Sequence, residues 1–499
     1  MRRYQSTAGA WLLAACVGCV TTTPSSPIAT SHAVAFGVAS PVSTSSVETI
    51  TGGRSSSERS GLSVASVTDK AMEQPAIVRV VAYAPTQDGN EDTSAAAMSL
   101  EDLEALALAH NPAIKELAAT TQKAAGFRAQ VTTRPNPRVG YQGQQLADEG
   151  TDQHLAFVEQ EFVTGGKLEL NHQVLNAAVC AQLQELEAQR LRVITDIRIR
   201  FYEALAIQKQ LELIDGFSVV AEKGFELAEQ RKKAGEGSQI DTLQARIQKS
   251  EIGLSRRQAT ARLAATWREI AALTGRPDMA QAPLVGTLPT DTPAMEWNSL
   301  ANTVIASSPE YAAARARVSR ARAALERQLA QQTPNLAVQM GAGVDNGTDS
   351  GMLNVQVGVP IPLYNKNRGN IAAARAEVCR AIYEAERIEN DVKARLAVVS
   401  QDYETAVAAI EQYAAEILPS ASSSMELADK AYQAGEADFV QILIARKTFY
   451  DSNVQYINAQ AQLAVAQAKI EGVLLTGGLN AVRDDSGDDS LREQAFSQQ

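Results

Sequence analysis

The sequence is poor in the residues that build catalytic and metal centres. Its four histidines (His32, His110, His154, His172) never cluster. Of its four cysteines, Cys16 and Cys19 share a CxxC spacing only inside the N-terminal leader, while Cys180 and Cys379 stand alone. This argues against a structural zinc site. No Ser/His/Asp set or paired carboxylates stand out, so neither catalysis nor a cofactor is indicated. Aromatic residues make up only 5% of the chain. No apolar run approaches the ~20 residues of a transmembrane helix. The net charge of −11 is spread over interleaved acids and bases without a basic stripe, which argues against nucleic acid as a partner.

What the 499 residues do contain is long stretches of Ala, Gln, Leu, Glu and Arg, a composition that favours long helices. Residues 1–16 read as an export signal. Met1-Arg2-Arg3 is basic, Ala8–Ala15 is apolar, and Leu13-Ala14-Ala15-Cys16 has the form of a lipobox that would make Cys16 an acylated first residue. The alternative is an ordinary signal peptide with a chance cysteine. Residues 17–98 read as a low-complexity tether, with a short strand expected at Ile77–Tyr83. Order is expected from Ser99, with Ser99 and Asp102 as candidate N-caps.

From there the chain states one plan twice. Lys232–Arg246 (KKAGEGSQIDTLQAR) and Tyr432–Arg446 (YQAGEADFVQILIAR) share Ala-Gly-Glu and the spacing that follows, with Gly235 and Gly435 200 positions apart. Asn111-Pro112 answers Ser308-Pro309, Pro135-Asn136 answers Pro334-Asn335, Cys180 answers Cys379, and Leu273-Thr274-Gly275 answers Leu475-Thr476-Gly477. Landmarks in one order at nearly constant offset mark an internal duplication. The repeats are set at 99–275 and 299–478, with a linker at 276–298 and a disordered acidic tail at 479–499. Asp484, Asp485, Asp488 and Asp489 in that tail read as solvated charge.

Each repeat reads helix, hairpin, very long helix, turn, helix. The hairpins, at about 137–163 and 335–362, appear where the apolar period switches from 3.6 to 2. Val355, Val357, Val359 and Ile361 alternate with Asn354, Gln356 and Gly358, and Leu336, Val338, Met340 and Ala342 form the apolar face of the preceding strand. Acid- and Gly-rich loops join the strands. Gly166–Ala234 then runs without proline and would span ~100 Å as one helix. Its seam is read as Val179, Leu183, Leu186, Arg190, Val193, Ile197, Phe201, Ala204, Gln208 and Leu211, with the heads of Arg190 and Gln208 in water. In the second repeat the seam is Val392, Leu396, Val399, Tyr403, Ala406, Ile410, Tyr413 and Ile417, and Pro419 is set to break or kink the helix. Cys180 and Cys379 read as small packing residues.

Alternating strands of about ten residues are the signature of a membrane β-barrel with a polar lumen, and such barrels need at least about eight strands. An open edge in lipid is not tolerated. One chain supplies four strands, so other copies of itself must complete the barrel, three copies giving about twelve. The charged helices must then extend into water. A plain coiled-coil lipoprotein scaffold without a pore is the competing reading.

With these features the sequence resembles the TolC-type outer membrane factors over residues 99–478. The resemblance is carried by the duplication, by Gln160-Glu161-Phe162-Val163-Thr164-Gly165-Gly166-Lys167 closing the first hairpin, and by Val359-Pro360-Ile361-Pro362-Leu363-Tyr364-Asn365-Lys366-Asn367-Arg368-Gly369 closing the second. Phe162–Lys167 is similar to the CzcC-like cation-efflux branch. The resemblance implies a homotrimer with a β-barrel in outer membrane lipid above a periplasmic α-helical barrel. It also implies a periplasmic adaptor (membrane fusion) protein and an inner-membrane RND or ABC pump as partners. It makes Ala234, Gly235 and Glu236, with Ala434, Gly435 and Glu436, the adaptor-docking tips. Some members narrow the tip with acids six and nine positions past the glycine. Here the sixth is Asp241 but Gln441 in the second copy, and the ninth is Gln244 or Ile444, so Asp241 is the gate candidate, with a solvated helix-terminal acid as the alternative. Gly165, Gly166, Pro360, Pro362 and Gly369 are the expected strand-to-helix junctions. Thr164–Lys167 lacks the earlier glycine and the Ser/Thr of a phosphate loop. The expected function is an outer membrane efflux channel for metal cations or drugs, with a type I secretion duct as the alternative.

Overall fold

The computed structural model describes residues 97–486, apart from 148, 149, 236 and 435. Cys16, the leader and the Ile77–Tyr83 strand lie outside the described residues. The described part is mostly helical. Its first repeat contains α1 (Leu100–His110), α2 (Pro112–Gln130), β1 (Arg138–Gln144), β2 (Gln153–Phe162), α3 (Lys167–Lys233) and α4 (Gln239–Leu273). The second contains α5 (Trp297–Ser307), α6 (Pro309–Ala330), β3 (Leu336–Asp345), β4 (Ser350–Gly358), α7 (Arg368–Gln412), a π-turn (Tyr413–Ile417), α8 (Leu418–Gln433) and α9 (Phe439–Glu471).

The paired landmarks have structural causes. Asn111 and Ser308 are N-caps, each followed by proline at the first helical position, where the missing N–H costs nothing. Asn111 Oδ1 accepts from the amides of Ala113 and Ile114, and Ser308 Oγ accepts from Tyr311 N–H at 3.3 Å. Ser99 caps α1 through a capping box in which Asp102 is the reciprocal acid rather than a second N-cap. Gly275 stands at φ +70°, and a Cβ there would lie 2.5 Å from the His110 carbonyl oxygen. Gly477 stands at φ +89°.

The four strands form one antiparallel sheet in the order β1-β2-β3-β4. The register aligns Val139, Val158, Met340 and Val355 in one row, and Tyr141, Ala156, Ala342 and Leu353 in the next. All of the large apolar residues in these rows are exposed. The opposite face carries Glu159, Glu161, Gln339, Gln356 and Asn354. There Phe157 lies between Gly140 and Gly341, its partners on either side, and a Cβ at Gly140 would meet the ring at 2.5 Å. The two glycines make room for the aromatic ring on a crowded face.

Two apolar cores repeat the same plan. In the first, Leu103 and Ala107 of α1 meet Val193, Ile197 and Phe201 of α3 and Trp267 and Ile270 of α4. In the second, Val304 of α5 meets Val392, Leu396, Val399 and Tyr403 of α7 and Leu463 of α9.

The seam expected on α7 is buried from Val392 to Ile410, whereas the α3 seam holds only in part. Leu183 is 48% exposed and Arg190 pairs with Glu187 in solvent, while Gln182, Glu185 and Gln189 are buried instead. The cause is the segment after α9. Gln182 Nε2 donates to the Arg483 carbonyl, Gln189 Nε2 to the Gly478 carbonyl, and Asp485 N–H to Gln182 Oε1. Gln208 also keeps its head out of water, exchanging two bonds with the backbone of Leu284 at 3.1 and 3.2 Å. The acidic tail is likewise docked at its start: Asp485 is 7% exposed and bonded to the buried Arg317 at 2.6 Å, and Asp484 pairs with Lys123. An ion pair with Arg317 removes the reason for Asp485 to stay in water. Cys379 is exposed rather than packed.

Candidate functional site: the helical tips and the strand-to-helix junctions

At the first tip, α3 ends at Ala234, and Gly235 follows at φ +78°, a left-handed conformation that favours glycine. Ser238 then caps α4, and Asp241 completes a capping box by accepting the Ser238 N–H at 3.2 Å. The gate candidate therefore has one carboxylate oxygen committed to a helix cap. At the second tip α8 ends at Ala434, and Glu436 N–H donates to the Ala431 carbonyl at 2.8 Å, the long bond of a Schellman turn. Asp438 is the N-cap of α9 but makes no side-chain cap bond. Glu236 and Gly435 lie outside the described residues.

The two tips meet. Arg231 Nη1 donates to the Tyr432 hydroxyl at 2.6 Å, and its guanidinium sits 5.2 Å from the centre of that ring. Beneath them Ala228, Ala245 and Phe439 form a small core with Phe225, Tyr432 and Leu443 around it. Ala234, Gly235, Ala434 and Glu436 are all exposed. Further along α4 and α9, Ile240, Ile247 and Ile444 are each more than half exposed, which sequence reading did not single out.

At the first junction Gly165 and Gly166 are both left-handed, at φ +68° and +66°, and turn the chain from β2 into α3. At the second, Pro360 and Pro362 follow the end of β4, and the Leu363 N–H closes a tight turn across Pro362 onto the Ile361 carbonyl at 2.8 Å. The left-handed residue is Asn367 at φ +54°, while Gly369 lies inside the first turn of α7. Asn367 Nδ2 holds the Gln328 carbonyl at 2.8 Å. Asparagine is the non-glycine residue that best tolerates this region, so the turn needs no glycine.

Sequence reading missed how the junctions are joined. Lys167 is 2% exposed and donates to Asn335 Oδ1 at 2.7 Å, Asn335 Nδ2 donates to Glu161 Oε1 at 2.8 Å, and Thr164 Oγ1 bonds the Pro334 carbonyl. Arg327, fully buried, donates to Asn171 Oδ1 and Gln331 Oε1, and burial lowers its pKa to about 10. The signal was present in the Pro334-Asn335 landmark and the Gly-Gly-Lys triplet, but their contact spans 168 positions. Among the described residues no group of three His, Cys, Asp or Glu side chains is placed to hold a metal ion, and no helix is long and apolar enough to cross a membrane.

An amphipathic sheet with one exposed apolar face, joined to duplicated helical hairpins, defines a class of protein built for lipid at one end and water at the other. The chain belongs to the outer membrane efflux protein family, whose profile matches residues 103–276 and 300–474. It is an outer membrane protein. The cobalt-zinc-cadmium resistance protein CzcC of Cupriavidus metallidurans is 26% identical over 276 residues. That match covers 55% of this chain and 65% of the relative's own length. In fold, the chain is similar to the outer membrane protein VceC of Vibrio cholerae (TM-score 0.62, 18% identity, 76% of this chain and 96% of that one). It is also similar to the CmeC outer membrane channel of Campylobacter jejuni (TM-score 0.61, 15% identity, 80% and 89%).

Proposed function

We propose that this chain is the outer membrane duct of a tripartite efflux system and that it carries metal cations. The observation that carries the duct is the sheet. Among the described residues its four strands have unpaired outer edges on β1 and β4, an exposed apolar face and a polar opposite face. Exposed edges are not tolerated in lipid, so closure by further copies, three in this family, turns the polar face into a lumen. The cation reading is supported by the CzcC relative. The energy for transport comes from an inner-membrane pump, and the adaptor docks on the joined tips at Ala234, Gly235, Glu236, Ala434, Gly435 and Glu436.

Planar-bilayer recording of the purified protein tests the duct. We expect discrete conductance from a trimer in detergent, and a non-conducting monomer or dimer would sink the reading. A deletion strain should become sensitive to cobalt, zinc or cadmium rather than to drugs. Replacing Gly235 and Gly435 by valine should abolish efflux with trimers intact, and retained efflux would refute the docking role.

A further inference from the structure

The sheet sorts its charge by face. Along β1 to β4 no Asp, Glu, Lys or Arg stands on the exposed apolar face. The four that occur, Arg138, Glu159, Glu161 and Asp345, all stand on the polar one. Three of these are compensated. Arg138 Nη1 lies 3.4 Å from Glu159 Oε2. Glu161 accepts from Asn335 Nδ2 at 2.8 Å, and the same Asn335 accepts from the Lys167 ammonium, so a cation stands behind that acid. Asp345 is the exception. Its Oδ2 accepts from Gln153 Nε2 at 3.2 Å and its Oδ1 from the Gly347 N–H at 2.9 Å, both neutral donors, and it forms no ion pair among the described residues.

Its place gives this charge a role. The helices lead into β1 and β3 and out of β2 and β4, so all of them join one end of the sheet. Asp345, the last residue of β3, lies at the other end, in a row with Gln144, Gln153 and Ser350, all neutral. The side chain is partly exposed, not sealed in the wall. Two nearby acids differ from it. Asp152 is engaged by His154 Nε2 at 2.6 Å and by Asn346 Nδ2 at 2.9 Å. Asp349 lies in the turn beyond the row and is exposed, where water and salt screen it.

We propose that Asp345 sets the charge selectivity of the duct at the end away from the helices, favouring hydrated metal cations over anions. The proposal rests on the reading of the chain as a duct with the polar face inward. A trimer then brings three of these carboxylates to one level of the bore. Like charges lining a water-filled passage with a low-dielectric wall concentrate counter-ions and exclude co-ions. Glu159 adds little, because Arg138 presents the opposite charge at the same level.

The test is the reversal potential of the full protein in planar bilayers across a gradient of potassium chloride. Near 0.1 M salt the wild type should prefer potassium over chloride by about three-fold or more. Near 1 M that preference should shrink, as the Debye length falls from ~10 to ~3 Å. Asp345→Asn keeps an acceptor for the Gly347 N–H and should lower the preference by about two-fold or more with trimers intact. Asp345→Glu should retain it. Arg138→Gln should raise it by unmasking Glu159, and Asp349→Asn should change it less than Asp345→Asn. An unchanged preference in Asp345→Asn, a chloride-selective wild type, or an equal effect of Asp349→Asn would overturn the proposal. So would a fall in Arg138→Gln, which would deny that the pair cancels. Conductance separates the two readings: a protein that never conducts sinks the duct, whereas a conducting one indifferent to Asp345 refutes this assignment alone.

Discussion

The two repeats share a plan and differ in how their long helices are finished. In the first, α3 runs 67 residues without interruption. In the second, the equivalent stretch is α7, a π-turn at Tyr413–Ile417, and α8, with Pro419 just past the turn. Proline lacks the N–H that the carbonyl four residues earlier would use, and a wider turn absorbs the ring. The segments that follow each repeat differ too. The one after α4 packs apolar side chains, Leu284 and Leu288, on Phe201 and Leu205 of α3. The one after α9 docks through charge, with Arg317 bonded to Asp485 and Glu185 and close to Glu384. Two copies of one scaffold thus differ: the first has an unbroken helix and an apolar seal, the second a π-turn and an ionic latch.

The latch is where the largest effect is expected. Arg317→Met removes the buried cation that Asp485 and Glu185 share, leaving Asp485 only Arg483 and Glu185 only Arg192 at 3.8 Å, and should cost about 3–5 kcal/mol. Amides of 477–486 should then exchange at least about a hundred-fold faster while those of 279–288 do not change. Leu284→Ala should reverse the pattern at about 2–4 kcal/mol. A latch variant that loosened both segments equally would erase the distinction between them.

Next in size is the π-turn. Val219 lies 200 positions before Pro419 and is 56% exposed in the uninterrupted α3. Val219→Pro should cost about 3 kcal/mol and speed exchange in the turn before it, where the Asp215 carbonyl loses its helical donor. Pro419→Ala should do the opposite, slowing exchange at 413–418 with no penalty. If α7 and α8 keep their π-turn after Pro419→Ala, proline is not its cause.

The tips differ on a smaller scale. Ser238→Ala removes a capping box and should cost about 1 kcal/mol, seen as faster exchange in the first turn of α4. Asp438→Ala removes no side-chain cap bond and should leave the first turn of α9 nearly unchanged. Equal effects would mean that Asp438 caps its helix in solution.

How much of this was legible follows from distance along the chain. Strand alternation was readable because each residue's face depends only on its immediate neighbours, and the register then aligned Val158, Met340 and Val355 as the pattern required. The α7 seam was readable for the same reason. The α3 seam failed at Leu183 and Arg190 because its partner there is a segment some 300 positions later, and glutamines rather than leucines satisfy that segment's backbone. Asp485 looked like solvated charge because Arg317 lies 168 positions away. Gly369 does lie at the second junction, in the first turn of α7, but the left-handed residue that makes the turn, Asn367, was not singled out from sequence.

The smallest expected effect separates the two docked segments by pH. Hydrogen bonds from Lys123 and Ser486 hold the Asp484 carboxyl down to about 2. A folded-state value below the ordinary carboxylate value of ~4 contributes stability that is complete above that value and is lost as pH falls toward ~2. Lys123 and Asp484 are each half exposed, so solvent screens the pair and its worth is at most about 1 kcal/mol. Asp196, which receives the amides of Gly477 and Gly478, has the opposite sign. Desolvation raises it despite those bonds, so its contribution is present at low pH and declines as pH rises through its folded-state value. Acid should therefore loosen 484–486 before 477–478. The segment at 279–288 bonds through Gln208, Trp267 and the Met98 backbone, none of which titrates in acid, and its protection should stay flat. Exchange rates corrected for intrinsic pH dependence, followed from about pH 5 to about pH 2, read all three segments at once. Lys123→Met should shrink the acid-dependent step at 484–486 alone, leaving the part held by the Ser486 bonds to Asp484; an undiminished step would mean that the Lys123 pair does not set it.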